Sequence, residues 1–479
     1  MELFSLFGHT AELYRIINKS SQPPDNLTRE YLKSKKYLGS HDRKFISSVL
    51  FTILRIKSMP EYFLKFDIVK RFTDRYITDP KEQEKFTSIL NTSLGIIIAN
   101  ILNIEFKEID ILPDNDYLPF VDAAALTISK KYNIQQEEVL LLLNTLISFG
   151  KNFISEVSNI DINKEINLDE LKALSIRYAQ QEWVFKLLLD SGKYSPTQLI
   201  GLFESLFYPA TLTLRINAPS ERRRTILDEC KKTDPKAELS RLSPFGIYLS
   251  KRLNLNTFPL YKQGLVEIQD EGSQLITIAL QPEENDTILD ACAGAGGKTL
   301  HIASMTNNNS RVIASDVELR KLKELNKRTR HAHFTSVTTY LPKHLNKSGI
   351  KQYDKVLIDS PCSGMGTVRR NPMLKWRLTP SLLEKYNRKQ YKILEQYAEY
   401  IKPGGVLLYS TCSLLPQENE MIVERFLNEH AEFSPMPLKP SFDKYKVDLP
   451  ELGNEDFQYQ LLPSVHSTDG FFIAKLTRR

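Results

Sequence analysis

From about residue 266 onward the chain alternates short apolar runs with helical stretches, and this pattern limits the fold more than any other feature. DTILDA (286–291), RVIASD (311–316), DKVLID (354–359) and GVLLYS (405–410) are each rich in Val, Ile and Leu, and each ends in polar or glycine-rich sequence. Runs that are apolar throughout, rather than at every second position, belong to strands buried on both faces. Strands separated by helical stretches form a parallel, doubly wound sheet. In such a sheet ligands bind beyond the carboxyl ends of the strands, so the residues that follow these four runs are where chemistry is expected.

The rest of the chain reads differently. A length of 479 residues exceeds what one core ordinarily serves, so two or three domains are expected. Residues 1–155 carry apolar positions at helical spacing. HDRKFISSVLFTILRIK (41–57) places Phe45, Val49, Thr52, Ile53 and Ile56 along one side, and QEEVLLLLNTLISF (136–149) forms another apolar helix. The polar stretch 152–167 reads as a linker. Residues 168–265 look mixed: a helix over 183–190 precedes TLTLRIN (211–217), which alternates like a strand, and RLSPFGIYLS (241–250) reads as loop and strand. The expected domains are therefore a helical one over 1–155, a small α+β lobe over 168–265, and the doubly wound α/β domain over 266–479.

Composition excludes several classes. Hydrophobic residues at 41% and charged residues at 25% are those of a soluble globular protein, and no run of 18 apolar residues occurs. The start, MELFSLFGHTAELYRI, lacks the basic and apolar regions of a secretion signal, so a cytoplasmic location is expected. Four cysteines, Cys230, Cys292, Cys362 and Cys412, are scattered without a C-x-x-C pair. Neither a zinc site nor a disulfide framework is expected, and no metal. A net charge of +6 and a pI near 8.8 are compatible with a polyanionic partner and equally with a solvated basic surface.

The glycine loop DACAGAGGKT (290–299) lies between a strand and a helix. There Gly294, Gly296 and Gly297 let backbone amides approach a ligand at a helix N-terminus. A phosphate-binding P-loop would need glycine five residues before the Gly297–Lys298 pair, where Cys292 stands. A dinucleotide site and an S-adenosylmethionine site both want such glycines together with an acid at the end of the next strand, which Asp316 supplies. On the glycines alone the two cofactors are not separated, although the third glycine of the dinucleotide pattern is absent.

DSPCSG (359–364) and YSTCS (409–413) add chemistry to two strand ends. If those strands pair, Asp359, Cys362 and Cys412 converge beside the cofactor, because paired strands lie about 4.8 Å apart. A thiolate adding to C6 of cytosine makes the otherwise unreactive C5 nucleophilic. Thiolates are soft, strong nucleophiles and good leaving groups. A carboxylic acid near ring N3 would stabilise the adduct, which suits Asp359. Both cysteines are flanked by Pro, Ser and Thr rather than by core residues. Cys292, inside the glycine loop, reads as packing or backbone contact, and Cys230 has no distinguishing context.

With these residues assembled, the chain resembles the RsmB/Sun (Nop/Sun) family of RNA cytosine-5 methyltransferases. The matching stretches are VEIQDEGSQ (266–274), DACAGAGGKT, Asp316, DSPCSGMGTVRRNP (359–372), Lys375–Trp376, YSTCS with PQENE (416–420), and TDGFFIAKL (468–476). The resemblance implies a Rossmann-like S-adenosylmethionine methyltransferase domain at the C-terminus, with Cys412 attacking C6 and Cys362 assisting product release. It implies that Cys292, Ala293, Gly294, Ala295, Gly296, Gly297, Lys298 and Asp316 hold the methyl donor, that Asp359 stands at the junction of donor and base, and that Lys298 contacts the base. It further implies that the lobe containing TLRIN binds RNA and that HDRKFISSVLFTILR belongs to an all-α, NusB-like domain, also RNA-binding. Ala295 replaces the family's usual proline and Ser360 a common alanine. The third strand, read at VTTYLPKH (337–344), lacks the usual acid near the adenine, and Tyr340 is the nearest candidate there.

Two basic clusters could meet RNA. One, Arg320, Lys321, Lys323, Lys327, Arg328 and Arg330, crowds a single helix and also suits a solvated face. The other, Arg369, Arg370, Lys375, Trp376 and Arg377 followed by Arg388, Lys389 and Lys392 with Tyr386 and Tyr391, follows the Asp359–Cys362 loop. The expected substrate is small-subunit ribosomal RNA, acted on by a monomer. The alternatives are a transfer-RNA substrate and a non-catalytic assembly factor that binds ribosomal RNA. A nicotinamide oxidoreductase would have no use for the paired cysteines.

Overall fold

The computed structural model describes residues 3–104, 118–251, 253–255 and 257–479. The chain divides into two compact units, one of residues 1–209 with 368–377, the other of residues 210–367 with 378–479.

The first unit is helical. Its helices include Leu3–Lys19, Ser40–Arg55, Pro80–Ile101, Leu118–Tyr132 and Gln136–Ser158. In Ser40–Arg55 the stripe of Phe45, Val49, Thr52 and Ile53 is buried, and Ile56 just beyond its end is buried too, as the spacing predicts. Helix starts follow local chemistry. Asp79 accepts from the amides of Lys81 and Glu82 ahead of Pro80, and Asn167 and Ser195 form capping boxes with Glu170 and Gln198.

Two expectations shift here. The stretch expected to be a linker from 152 is helical to Ser158, because Phe153 packs on Tyr62 and Phe63 and Val157 is buried. The helices Leu168–Arg177, Glu182–Asp190 and Pro196–Ser205, expected in the small lobe, belong to the helical unit. Tyr178, Phe185 and Phe203 form an aromatic cluster there, and the Ser58 hydroxyl donates to the Ile176 carbonyl at 3.0 Å.

The second unit holds two sheets. The smaller has β1 (Leu212–Ile216), β2 (Glu238–Leu239), β3 (Gly246–Leu249) and β4 (Val266–Ile268), antiparallel in the order β2-β3-β1-β4. The larger, of eight strands, contains β5 (Thr287–Asp290), β6 (Arg311–Ser315), β7 (Val337–Tyr340), β8 (Tyr353–Asp359), β9 (Ile401–Thr411), β10 (Phe433–Pro435), β11 (Gln458–Leu461) and β12 (Phe471–Arg478). Its order is β10-β12-β9-β8-β5-β6-β7, with β11 also pairing with β12. The run β9-β8-β5-β6-β7 is parallel, and β12 is antiparallel to β9. Strand order therefore reverses between β5 and β8, the crevice where open α/β sheets bind ligands.

Leu214, Ile216, Ile247 and Val266 of the small sheet share one buried cluster with Ile288, Val312, Leu357 and Leu408 of the large sheet. Each such side chain contributes about 1.5–3 kcal/mol by burial, so the small sheet is part of this unit's core rather than an appendage. Tyr353, Val356, Ile358, Leu407 and Tyr409 pack in a second cluster with Leu394 and Phe426. No helix among the described residues is long and apolar enough to cross a membrane.

Candidate active site

The site is assembled at the carboxyl ends of β5, β6, β8 and β9. After β5 the chain turns through Ala291–Gly296 into the helix Gly297–Met305. Gly296 sits at φ +91°, and a Cβ there would stand 2.5 Å from Leu325 Cγ, so glycine is required for both conformation and space. Gly294, at φ +56°, has open space where a side chain would project, and its amide donates to Asp316 Oδ2 at 3.0 Å. The other Asp316 oxygen takes the Glu318 amide at 2.8 Å. The loop is thus a cradle of backbone with a fixed carboxylate at its rim, which fits a ligand carrying hydroxyls to be accepted.

Two guanidinium groups brace this loop from outside. Arg215, fully buried on β1, donates to the Gly297 carbonyl at 2.6 Å and to Gln269 at 2.5 Å; burial lowers its pKa to about 9. Arg328 donates to the Ala295 carbonyl at 2.6 Å and pairs with the buried Glu267 at 2.9 Å. Burial pushes the Cys292 thiol up.

The β8 and β9 ends carry the reactive groups. Asp359 lies opposite Ser410 in the parallel register. Its Oδ2 accepts from Lys298 Nζ at 2.6 Å and its Oδ1 from the Ser410 hydroxyl at 3.2 Å. Three residues beyond Asp359 and two beyond Ser410, the sulfurs of Cys362 and Cys412 approach to 3.3 Å. The hydrogen bond that the protonated Cys362 makes to Cys412, and then burial, push the Cys362 thiol well up, so Cys362 keeps its proton at neutral pH. Gly366 makes the approach possible: its amide donates to the Cys412 carbonyl at 2.8 Å, and a Cβ on it would collide with the Gly470 carbonyl. A proton-bearing thiol, a second thiol, an acid–lysine pair and a glycine cradle on neighbouring strand ends can support addition of sulfur to a flat ring beside a bound group donor.

Residues 277–477 match the family described as 16S rRNA methyltransferase RsmB/F. The probable ribosomal RNA small subunit methyltransferase B of Bacillus subtilis (strain 168) is 31% identical over 314 residues, covering 65% of this chain and 69% of that protein. The chain belongs to the RsmB/F family of 16S rRNA methyltransferases. Among solved structures, a methyltransferase homolog protein from Pyrococcus horikoshii is 25% identical with a TM-score of 0.54, covering 66% of this chain and 100% of that one. Another crystal structure, 22% identical, covers 100% of this chain and 99% of its own at a TM-score of 0.70, a likeness of fold.

Within the RsmB/F frame the structure brings Cys362, Cys412, Asp359, Lys298, the 292–297 loop and Asp316 to one end of the sheet. Tyr340 ends β7 opposite Ser315, partly buried against the second core cluster.

The segment expected to touch RNA makes structural contacts of its own. Residues 368–377 belong to the helical unit. A helix leaves its last carbonyls without partners, and at the end of Ser40–Arg55 Trp376 Nε1 donates to the Leu54 carbonyl at 2.9 Å and Lys375 Nζ to the Arg55 carbonyl at 2.8 Å. Lys375 is 1% exposed. Arg377 donates to the carbonyls of Ser20, Ser21 and Gln22, and the buried Arg369 to that of Pro209 at 2.9 Å. Arg370 lies in the same segment. Lys375 thus closes a helix end, where positive charge is favoured. From the other cluster, Arg328 is engaged with the glycine loop, whereas Arg320, Lys323, Lys327 and Arg330 are exposed.

Sequence reasoning assigned no role to Glu418, Asn419, Gln390 or Arg215. The only available signal was PQENE, an acidic motif close behind the second cysteine. Nothing in a sequence marks its first acid as buried.

Proposed function

We propose that the protein transfers a methyl group from S-adenosylmethionine to C5 of a cytosine in 16S ribosomal RNA through a covalent adduct on Cys412. The observation that carries this reading is the pair of sulfurs 3.3 Å apart at the ends of adjacent parallel strands, beside Asp359 and Lys298. Family membership supports the methyl transfer and the RNA class, and the names of the curated relatives support the small-subunit substrate.

The residues divide the work. The loop 292–297 and the Asp316 carboxylate would hold the donor, which when bound supplies an electrophilic methyl group. Cys412, as thiolate, adds to C6 and pushes the ring electrons to C5. Asp359 and Lys298, sharing a hydrogen bond, place a proton at ring N3 to stabilise the adduct. After C5 has taken the methyl group its proton passes to solvent water, ring N3 returns its proton to the Asp359–Lys298 pair, the C5–C6 double bond re-forms and the Cys412 sulfur leaves. Cys362, held as a thiol, delivers its proton to the departing sulfur 3.3 Å away.

The test uses labelled donor, 16S RNA and single variants. Cys412→Ala should lower methylation at least about a thousandfold while RNA binding persists. Cys362→Ala should accumulate a covalent protein–RNA complex, seen as a shifted band on a denaturing gel. A trapped band with Cys412→Ala alone would reverse the two roles. Full methylation in both variants, with no trapped band, would sink the covalent mechanism.

A further inference from the structure

We propose that Glu418 is the positioning residue of this site: its buried carboxylate clamps together the two loops that carry Cys362 and Cys412 and so sets the distance between their sulfurs. The inference rests on the assignment of both cysteines to the chemistry above.

Glu418 closes the short turn Pro416–Glu418 and is fully buried. Its Oε1 accepts the Ser363 amide at 2.8 Å and Gln390 Nε2 at 3.0 Å. Its Oε2 accepts the Ser413 hydroxyl at 2.5 Å and the Ser363 hydroxyl. Ser363 directly follows Cys362, Ser413 directly follows Cys412, and Gln390 also donates to the carbonyl of Pro361, which directly precedes Cys362, at 3.1 Å. One carboxylate thus gathers donors from beside each sulfur. The clamp is itself held: the Glu418 carbonyl takes the Tyr409 hydroxyl at 2.8 Å. Asn419 accepts from Thr411 Oγ1 at 2.6 Å and donates to the Ser413 carbonyl at 3.1 Å, fixing the β9 end from the next residue.

The energetics favour positioning over general stability. Burying a carboxylate is costly even when it is fully hydrogen-bonded, and an apolar side chain of similar volume often serves a core as well or better. What an apolar side chain cannot do is fix the relative geometry of two loops through directional bonds. Chemistry that passes a proton and an electron pair between two sulfurs and a ring is sensitive to displacements of about 1 Å, which can cost about a hundredfold.

The test compares full-length wild type with Glu418→Ala, Glu418→Gln and Ser413→Ala. Without RNA or donor, diamide, an azo compound, is added as two-electron oxidant. The two thiols lose two hydrogens to its N=N bond and close a Cys362–Cys412 disulfide, and the closure rate is read by mass spectrometry of the joined peptides. The same proteins are assayed for kcat and KM with RNA and for donor affinity. Glu418→Ala should slow closure and lower kcat, each at least about tenfold, with KM and donor affinity within about twofold. Glu418→Gln should recover most of both, because its amide oxygen accepts the two N–H donors and its NH2 group can donate to the serine oxygens. Ser413→Ala should shift both in the same direction by less, and decides the matter if Glu418→Ala fails to fold. Unchanged closure in the alanine variants overturns the proposal, as does a fall in kcat matched by equal falls in donor and RNA affinity. Closure involves no methyl transfer, so an enzyme with different chemistry would leave this measurement readable.

Discussion

Asp290, the last residue of β5, is a carboxyl group with almost no access to water. It is completely buried, one oxygen accepts the Thr299 hydroxyl at 2.6 Å, and the other has no partner among the described residues. Burial raises its pKa to about 7, against roughly 3.9 in an unfolded chain. The sign follows from linkage. Between those values the folded state holds a proton that the unfolded state has released, so stability falls as pH rises. The contribution is full below about 4 and is lost as pH climbs through about 7. Asp290→Asn keeps an oxygen for Thr299 and removes the titration. It should raise the thermal midpoint of this unit at pH 8, by about 2–4 °C per kcal/mol gained, and the advantage should shrink towards zero near pH 4. A gap between variant and wild type that is constant across pH would show that burial of this charge is not what limits stability. Cys230 is a contrasting buried group: burial pushes its thiol up to about 12, and it packs in the apolar core cluster of its unit, away from the strand ends.

At the scale of elements, the two positive-φ glycines of the loop between β5 and the following helix separate conformation from ligand space. Gly296→Ala meets Leu325 at 2.5 Å as well as an unfavourable φ, and should destabilise by roughly 1–3 kcal/mol. Gly294→Ala meets nothing within 4 Å among the described residues. It should cost about 1–2 kcal/mol of stability through its left-handed φ alone and yet weaken donor binding markedly, because the new methyl group fills the cradle. Thermal midpoints and calorimetry with S-adenosylmethionine test the pair, and undiminished donor binding by Gly294→Ala would remove the cradle from this loop. These elements were legible from sequence because β5, β6, β8 and β9 are buried on both faces and read as unbroken apolar runs. Their parallel order brought Asp359 and both cysteines together as strand-end residues. The small sheet was legible only in pieces. Its antiparallel pairings join residues as far apart as Leu214 and Ile268, and no local pattern records such a partner. Glu418 was missed for a related reason. An acid in a turn reads as solvent-facing, and only the packed structure shows its four donors converging from 363, 390 and 413.

For the molecule as a whole, the least legible feature was where the chain of the catalytic unit departs from it. Residues 368–377 follow a cysteine loop in sequence but belong to the helical unit and cap the end of its helix Ser40–Arg55, so two cations of a run that reads as a nucleic-acid surface, Arg369 and Lys375, prove to be buried. The domain boundary expected after 155 moved to 209 for the same reason: three further helices bury their apolar faces in the helical unit, which a polar intervening stretch does not reveal. This redistribution of charge makes a prediction about RNA binding. Removing one cation that neutralises a phosphate reduces the slope of log affinity against log salt by about 0.7 for single strands and about 0.9 for duplex. Lys375 gives its ammonium to a carbonyl and is 1% exposed, so it has no path to a phosphate. Lys375→Met should therefore leave the slope unchanged, whatever it does to stability. Lys323 and Lys327 on the helix Leu319–His331, and Arg388 and Lys389 on the helix Pro380–Ala398, are exposed. Replacing each of these pairs by glutamine should flatten the slope by about 0.7–1.8, according to how many phosphates it meets. Filter binding of 16S RNA fragments across a salt series measures this directly. A flattened slope for Lys375→Met, together with unchanged slopes for both exposed pairs, would return the RNA surface to the 369–377 segment and overturn the structural role given to it here.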